Sequence, residues 1–204
     1  MVEIFTIGTI VRVVVLSAAI GAVLGLGSTI LKDLKNGELL DGDVTGWTYL
    51  GNFLGNAISG AGLGLCTVLG AGVGYSMLTG IPLTLGKIII SYKAAFAIGA
   101  GAAFITGGLG YIVRAGISDQ EEIELYDMIN EATINMFSGI GSFAGAFFGG
   151  LLVIKIPGKK GIKNFILYQI FMGISGFMLL NMFYLFWKKL YRRNSNDWFR
   201  KRNV

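Results

Sequence analysis

Charged residues divide this chain into five long uncharged runs, and those runs restrict the fold more than any other feature. They cover residues 13–31, 44–86, 94–113, 132–154 and 164–187, that is 19, 43, 20, 23 and 24 residues. A helix needs about 20 apolar residues to cross a bilayer. Five such runs in 204 residues are hard to place in a water-soluble domain. Backbone within lipid must satisfy its own hydrogen bonds, which leaves helices or closed barrels. The period-two alternation of a barrel strand is missing. The expected fold is therefore all-α, a multi-pass helical membrane protein with Gly-rich, closely packed helices.

Composition agrees. Charged residues are 14% of the chain, against about a quarter in an ordinary soluble domain. Mean hydropathy is +0.66. There is no His, which removes the usual general base and the commonest metal ligand. No nucleophile–base pair or metal cluster is visible, so neither an enzyme nor a bound cofactor or metal is expected. The single Cys66 allows no internal disulfide and reads as a small buried hydrophobe. The run 13–31 is too long for the core of a signal peptide, so it is expected to stay as a membrane segment.

The stretches between runs are short and polar. Residues 32–43 read as a charged loop, with Gly37 and Gly42 as turn formers. Pro82 should stop or kink a helix near the end of the 43-residue run, which is long enough for one helix or a hairpin of two. Ser118 with Glu121 three residues on resembles a helix start, with Ile123, Tyr126 and Ile134 as its apolar stripe. These landmarks divide the chain into N-terminal membrane helices (1–117), an acidic linker or short helix (118–131), a C-terminal membrane hairpin (132–190) and a basic tail (191–204).

Glycine supplies 32 residues. Small residues four apart let helix backbones approach closely in lipid. Gly60–Gly64, Gly70–Gly74 and the triple Gly141, Gly145, Gly149 are the candidate helix-packing positions. Gly21–Gly25, Gly51–Gly55 and Gly99–Ala103–Gly107 have the same spacing. Seven Gly–Gly pairs lie four apart, against roughly five for random placement, so clustering carries more than spacing. Six of them, Gly60, Gly62, Gly64, Gly70, Gly72 and Gly74, fall within fifteen residues. Such flat faces either pack one subunit tightly or also meet between chains to line a pore. The residues alone leave both open.

Basic residues gather at 155–163 and at Lys188, Lys189, Arg192, Arg193, Arg200, Lys201 and Arg202. Beside apolar runs these read as lipid-headgroup ligands, and no nucleic-acid-reading motif accompanies them. Tyr184, Trp187 and Tyr191 form an interfacial anchor. If the last two runs both span, the two basic blocks fall on opposite sides, which positive-inside forbids at one of them. Either the last helix lies in the interface, or the last two runs make a shallow hairpin, or insertion bypasses the translocon. The phosphate-loop pattern does not occur, and the acidic residues near 121–124 lack calcium-loop spacing. Asn52, Asn56, Asn135 and Asn181 sit within runs, where helix packing is their expected use.

Residues 40–65 (LDGDVTGWTYLGNFLGNAISGAGLGL) and 136–173 (MFSGIGSFAGAFFGGLLVIKIPGKKGIKNFILYQIFMG) resemble the Gly-rich hydrophobic C-terminal regions of Rhs/YD-repeat proteins of Gram-positive bacteria. There a Gly-rich helix leads into a Pro-Gly turn and then Asn-Phe-x-x-Tyr-Gln, as Asn164, Phe165, Tyr168 and Gln169 do here. The resemblance covers about a third of the chain. It implies a membrane-inserting, pore-forming toxin-type module that enters a target cell after export. Its partners would be the lipid bilayer, further copies of the chain, and an immunity or delivery protein. The alternative is a resident, non-lytic integral membrane protein such as an immunity or accessory subunit.

Overall fold

The computed structural model describes residues 7–37, 46–85, 88–118 and 123–153. Four helices account for most of them: α1 (Ile7–Asn36), α2 (Gly46–Thr79), α3 (Tyr92–Ile117) and α4 (Leu125–Val153). Strands β1 (Thr84–Leu85) and β2 (Ile88–Ile89) form a two-stranded antiparallel hairpin between α2 and α3. The fold is all-α. Three segments, Ile10–Asn36, Gly46–Thr79 and Tyr92–Ile117, are long and apolar enough to cross a membrane.

The 43-residue run is one helix followed by the hairpin, not two helices. At 1.5 Å per residue α2 is about 50 Å long. It ends where Gly80 takes φ +69° and donates its N–H to the Ser76 carbonyl at 3.0 Å. This is the left-handed helix stop that glycine adopts without a steric penalty. Pro82 follows once the helix has ended. Gly37 closes α1 in the same backbone region, with φ +77°.

The junction before α4 differs from the sequence expectation. Ser118 ends α3 instead of starting the next helix: its backbone N–H bonds the Arg114 carbonyl and its own conformation is extended. The first bond of α4 runs from Met128 N–H to the Glu124 carbonyl, and Asp127 in the first turn suits the positive end of the helix dipole. Ile123 and Tyr126 are exposed, so the expected apolar stripe does not pack. The 131/132 boundary falls inside α4, a single helix. That helix packs on α2 and α3. Residues 154–204 lie outside the described ones, and with them the last run, the aromatic anchor and the basic tail.

α2 is the hub of the bundle and touches each of the other three helices. Its glycines are divided among its neighbours. Gly60 and Gly64 face α1, where a Cβ would meet Ser17, Gly21 and Val14. Gly51, Gly55 and Gly62 face Arg114, Gly110 and Ala103 on α3. Gly70 and Gly74 face the backbone of Phe143 and Phe147 on α4. These registers make α2 antiparallel to α1 and α3, and parallel to α4.

The distribution of side chains is inverted relative to a water-soluble core. The largest fully buried side chains among the described residues are Cys66 and Ser76. Large apolar groups point outward: on α1, Val15 is 61% and Leu31 66% exposed. A contiguous surface of this kind is a liability in water and costs nothing in hydrocarbon. One cluster of larger apolar residues lies at the hairpin end. There Leu83 and Ile90 from the hairpin pack with Val68, Leu69 and Val73.

A polar cavity within the bundle

Small residues bring the helix backbones together, and polar side chains occupy the space this leaves. Asn135 on α4 is the clearest case. It is buried, and its Nδ2 donates to the Ala103 carbonyl at 2.7 Å. The same group reaches Thr106 Oγ1 at 3.3 Å and the Ser59 carbonyl at 3.4 Å. One amide thus ties α4 to α3 and α2. Gly107 makes room for it, since a Cβ there would stand 2.5 Å from the Asn135 Cβ. Gly62 likewise makes room for the Thr106 hydroxyl, and Gly110 for the Ser59 hydroxyl. A buried amide left unpaired would cost roughly 1–3 kcal/mol, so these glycines serve the polar network as well as the packing.

Below this knot lies a cavity of about 480 Å³. α2 forms its floor through Asn56, Ser59, Leu63 and Thr67, and α1 contributes Ser17 and Ser28. Ser138 and Ser142 reach it from α4. From Asn56 to Thr67 it extends about 16 Å along α2. Tyr111, Arg114 and Glu131 line one end. There Arg114 pairs with Glu131 at 3.3 Å and lies 5.6 Å from the Tyr111 ring centroid. At the other end, the apolar cluster around Val68 and Leu69 follows directly on Thr67.

The lining is mostly apolar, from Val13, Ile20, Leu24, Leu63 and Ile134, with hydroxyls, two amides and one cation–anion pair set among these side chains. The polar groups can hydrate and hold small polar solutes. They offer no set for binding a metal: no group of three metal-ligating side chains occurs among the described residues. Cys66 stays out of the cavity. It is wholly buried, donates its S–H to the Gly99 carbonyl at 3.0 Å, and sits where a Cβ on Gly139 would stand 2.8 Å from its sulfur.

The glycine triple on α4 is offset from the contact that α4 makes with the glycines of α2. The contacts from α4 to α2 run through Gly139, Phe143 and Phe147. Gly141, Gly145 and Gly149 are two residues out of step with these, about 200° round the helix. Gly145 follows Ser138 and Ser142 at helical spacing and so continues the cavity side of α4. Gly141 is buried and Gly145 half-buried. Asn52 and Asn56 bond back to the carbonyls of Thr48 and Asn52 at 2.9 and 2.7 Å, and Asn56 also packs on Gly25 of α1.

Sequence reasoning passed over Ser17, Ser28, Ser59, Thr67, Ser138 and Ser142. Their signal is a helical period of polar residues inside an apolar run. Asn135, Ser138 and Ser142 follow the i, i+3, i+7 pattern, and Asn52, Asn56 and Ser59 follow i, i+4, i+7.

No family model, curated protein or solved structure matches the chain.

Proposed function

We propose that the chain is a membrane-inserting, pore-forming module of bacterial toxin type. Its glycine-packed helices would hold a polar cavity within the bilayer and make the membrane permeable to small polar solutes. The observation that carries this reading is a cavity of about 480 Å³ along α2, with hydroxyls, amides and an Arg–Glu pair set among apolar side chains, in a bundle whose large apolar side chains point outward. Ionisable residues that face a bundle interior in lipid mark a functional path by default, and Arg114 and Glu131 line one end of this cavity. The resemblance to Rhs/YD-repeat C-terminal regions supports the toxin class. Further copies of the chain and an immunity partner belong to the same proposal, as does insertion into a target cell.

The test is release of a small and a large dye from liposomes on adding purified protein. Release of the small dye alone, lost on filling the cavity with Ser138→Leu, supports the reading. Complete retention of both dyes by fully inserted protein would refute it. A second reading, a resident non-lytic membrane protein, is favoured by one observation. Among the described residues, the lining of the cavity does not reach the apolar cluster of Val68, Leu69, Leu83 and Ile90, so these residues outline a pocket and not a passage from end to end.

A further inference from the structure

The hairpin between α2 and α3 is held in place at its base and bare at its tip. Ile90 N–H donates to the Leu83 carbonyl at 2.9 Å, and both side chains are buried in the apolar cluster. Ser76 Oγ donates to the Ile81 carbonyl at 2.6 Å and lies 3.2 Å from the Tyr92 hydroxyl. The tip is apolar on both faces. Ile88 is 70% and Ile89 67% exposed, and Met77 and Leu78 of the last turn of α2 extend the patch.

Charge sets this end apart. Residues 80–93 contain lysine and no carboxylate. The four carboxylates among the described residues, Asp33, Glu124, Asp127 and Glu131, all lie toward the opposite end of the bundle, in the last turns of α1 and at the start of α4. Lys93 is exposed and lies in the first turn of α3, where the helix dipole disfavours a cation. A local conflict of this kind is expected where an outside group compensates it. An apolar tip flanked by a tyrosine and a lysine has the composition of a membrane interface.

We infer that the hairpin is an interfacial anchor: Ile88 and Ile89 dip into the acyl boundary of one leaflet while Lys93 meets anionic lipid headgroups. This rests on the membrane reading above. It also assigns the hairpin end of the bundle to the more anionic leaflet, in keeping with positive-inside.

Two single-cysteine reporters test it in the full chain, Ile89→Cys at the tip and Val15→Cys on the outer side of α1. Each is labelled with an environment-sensitive dye, and wholly buried Cys66 does not compete for label. The vesicles hold either neutral phosphatidylcholine or a mixture with phosphatidylglycerol, and carry shallow or deep quenching lipids. The expected result is deep quenching at Val15 in both vesicles, and shallow quenching at Ile89 that is stronger with phosphatidylglycerol. Lys93→Gln should lower the partition of the tip into anionic vesicles about fivefold. Val15 quenched while Ile89 stays in water, or Ile89 quenched equally in both vesicles and unaffected by Lys93→Gln, overturns the anchor and leaves the membrane reading intact. A Val15 reporter in water overturns both.

Discussion

Gly21 on α1 and Gly60 on α2 meet backbone to backbone. A Cβ on Gly21 would stand 3.1 Å from the Gly60 Cα, and one on Gly60 3.2 Å from the Gly21 Cα. The atoms in the way are backbone, which cannot swing aside. α1 has no other major partner in the described bundle than α2, so this crossing controls whether α1 stays attached.

Gly60→Leu should therefore separate α1 from α2. Overpacking of this kind costs about 1–3 kcal/mol, occasionally more. Cross-linking between cysteines placed on the two helices measures it, and yield should fall while total helicity by circular dichroism holds. Gly27→Leu is the control, since a Cβ there meets nothing within 4 Å. An equal loss in both variants would remove the claim that close approach is what matters.

Asn135→Leu should destabilise the bundle by about 0.6–2 kcal/mol, the range for interhelical hydrogen bonds in lipid. The readout is denaturation in detergent. Because Asn135 and Thr106 share one knot, Thr106→Val should cost less in the Asn135→Leu background than in the parent. Strict additivity would show that the two side chains act separately.

The Arg114–Glu131 pair is partly open, with side-chain exposures of 23% and 41%. Glu131→Gln should then cost less than about 1 kcal/mol, and the loss should shrink with added salt. A larger loss, insensitive to salt, would mean that the pair is desolvated in the inserted protein.

Ser142→Phe should fill part of the cavity without touching the α2–α4 contact, which runs through Phe143 and Phe147. Dye release should fall, and any loss of stability should stay within the roughly 1–3 kcal/mol of overpacking at a buried position. Gly145→Leu, on the same side of α4, should act in the same direction. Unchanged release in both variants would detach the cavity from permeation.

Cys66 is wholly enclosed, so a water-soluble maleimide should leave it unmodified in the folded protein and label it on unfolding. Label kinetics followed by mass spectrometry report that difference. Labelling at the same rate in both states would place Cys66 at a surface.

Much of the bundle is legible in the sequence. Lys32 and Asp33 close the first run, Lys93 opens α3, and Arg114 marks its last turn. Other signals mislead for a physical reason. Ser118 followed by Glu121 has the spacing of a helix start, yet its backbone N–H is the nearest donor for the Arg114 carbonyl and completes α3. The chain around Pro82 reads as an interruption; that it pairs as two short strands depends on Leu83 and Ile90 finding an apolar cluster built by α2. Asn135 reads as one more polar group in an apolar run, and its use depends on where Ala103 and Ser59 come to lie.

The sequence by itself determined that these segments are helices with apolar exteriors. An uncharged run of about 20 residues has no other way to satisfy its backbone in lipid, and that argument needs no knowledge of neighbours. Tertiary structure alone decided which glycine meets which helix. Spacing by four recurs on every side of α2, so Gly60, Gly55 and Gly70 are equivalent as patterns and differ only in the backbone each one faces. The same register decides whether Asn135, Ser138 and Ser142 enclose a polar space or face lipid, because a side chain's surroundings depend on the rotation of its helix against the others.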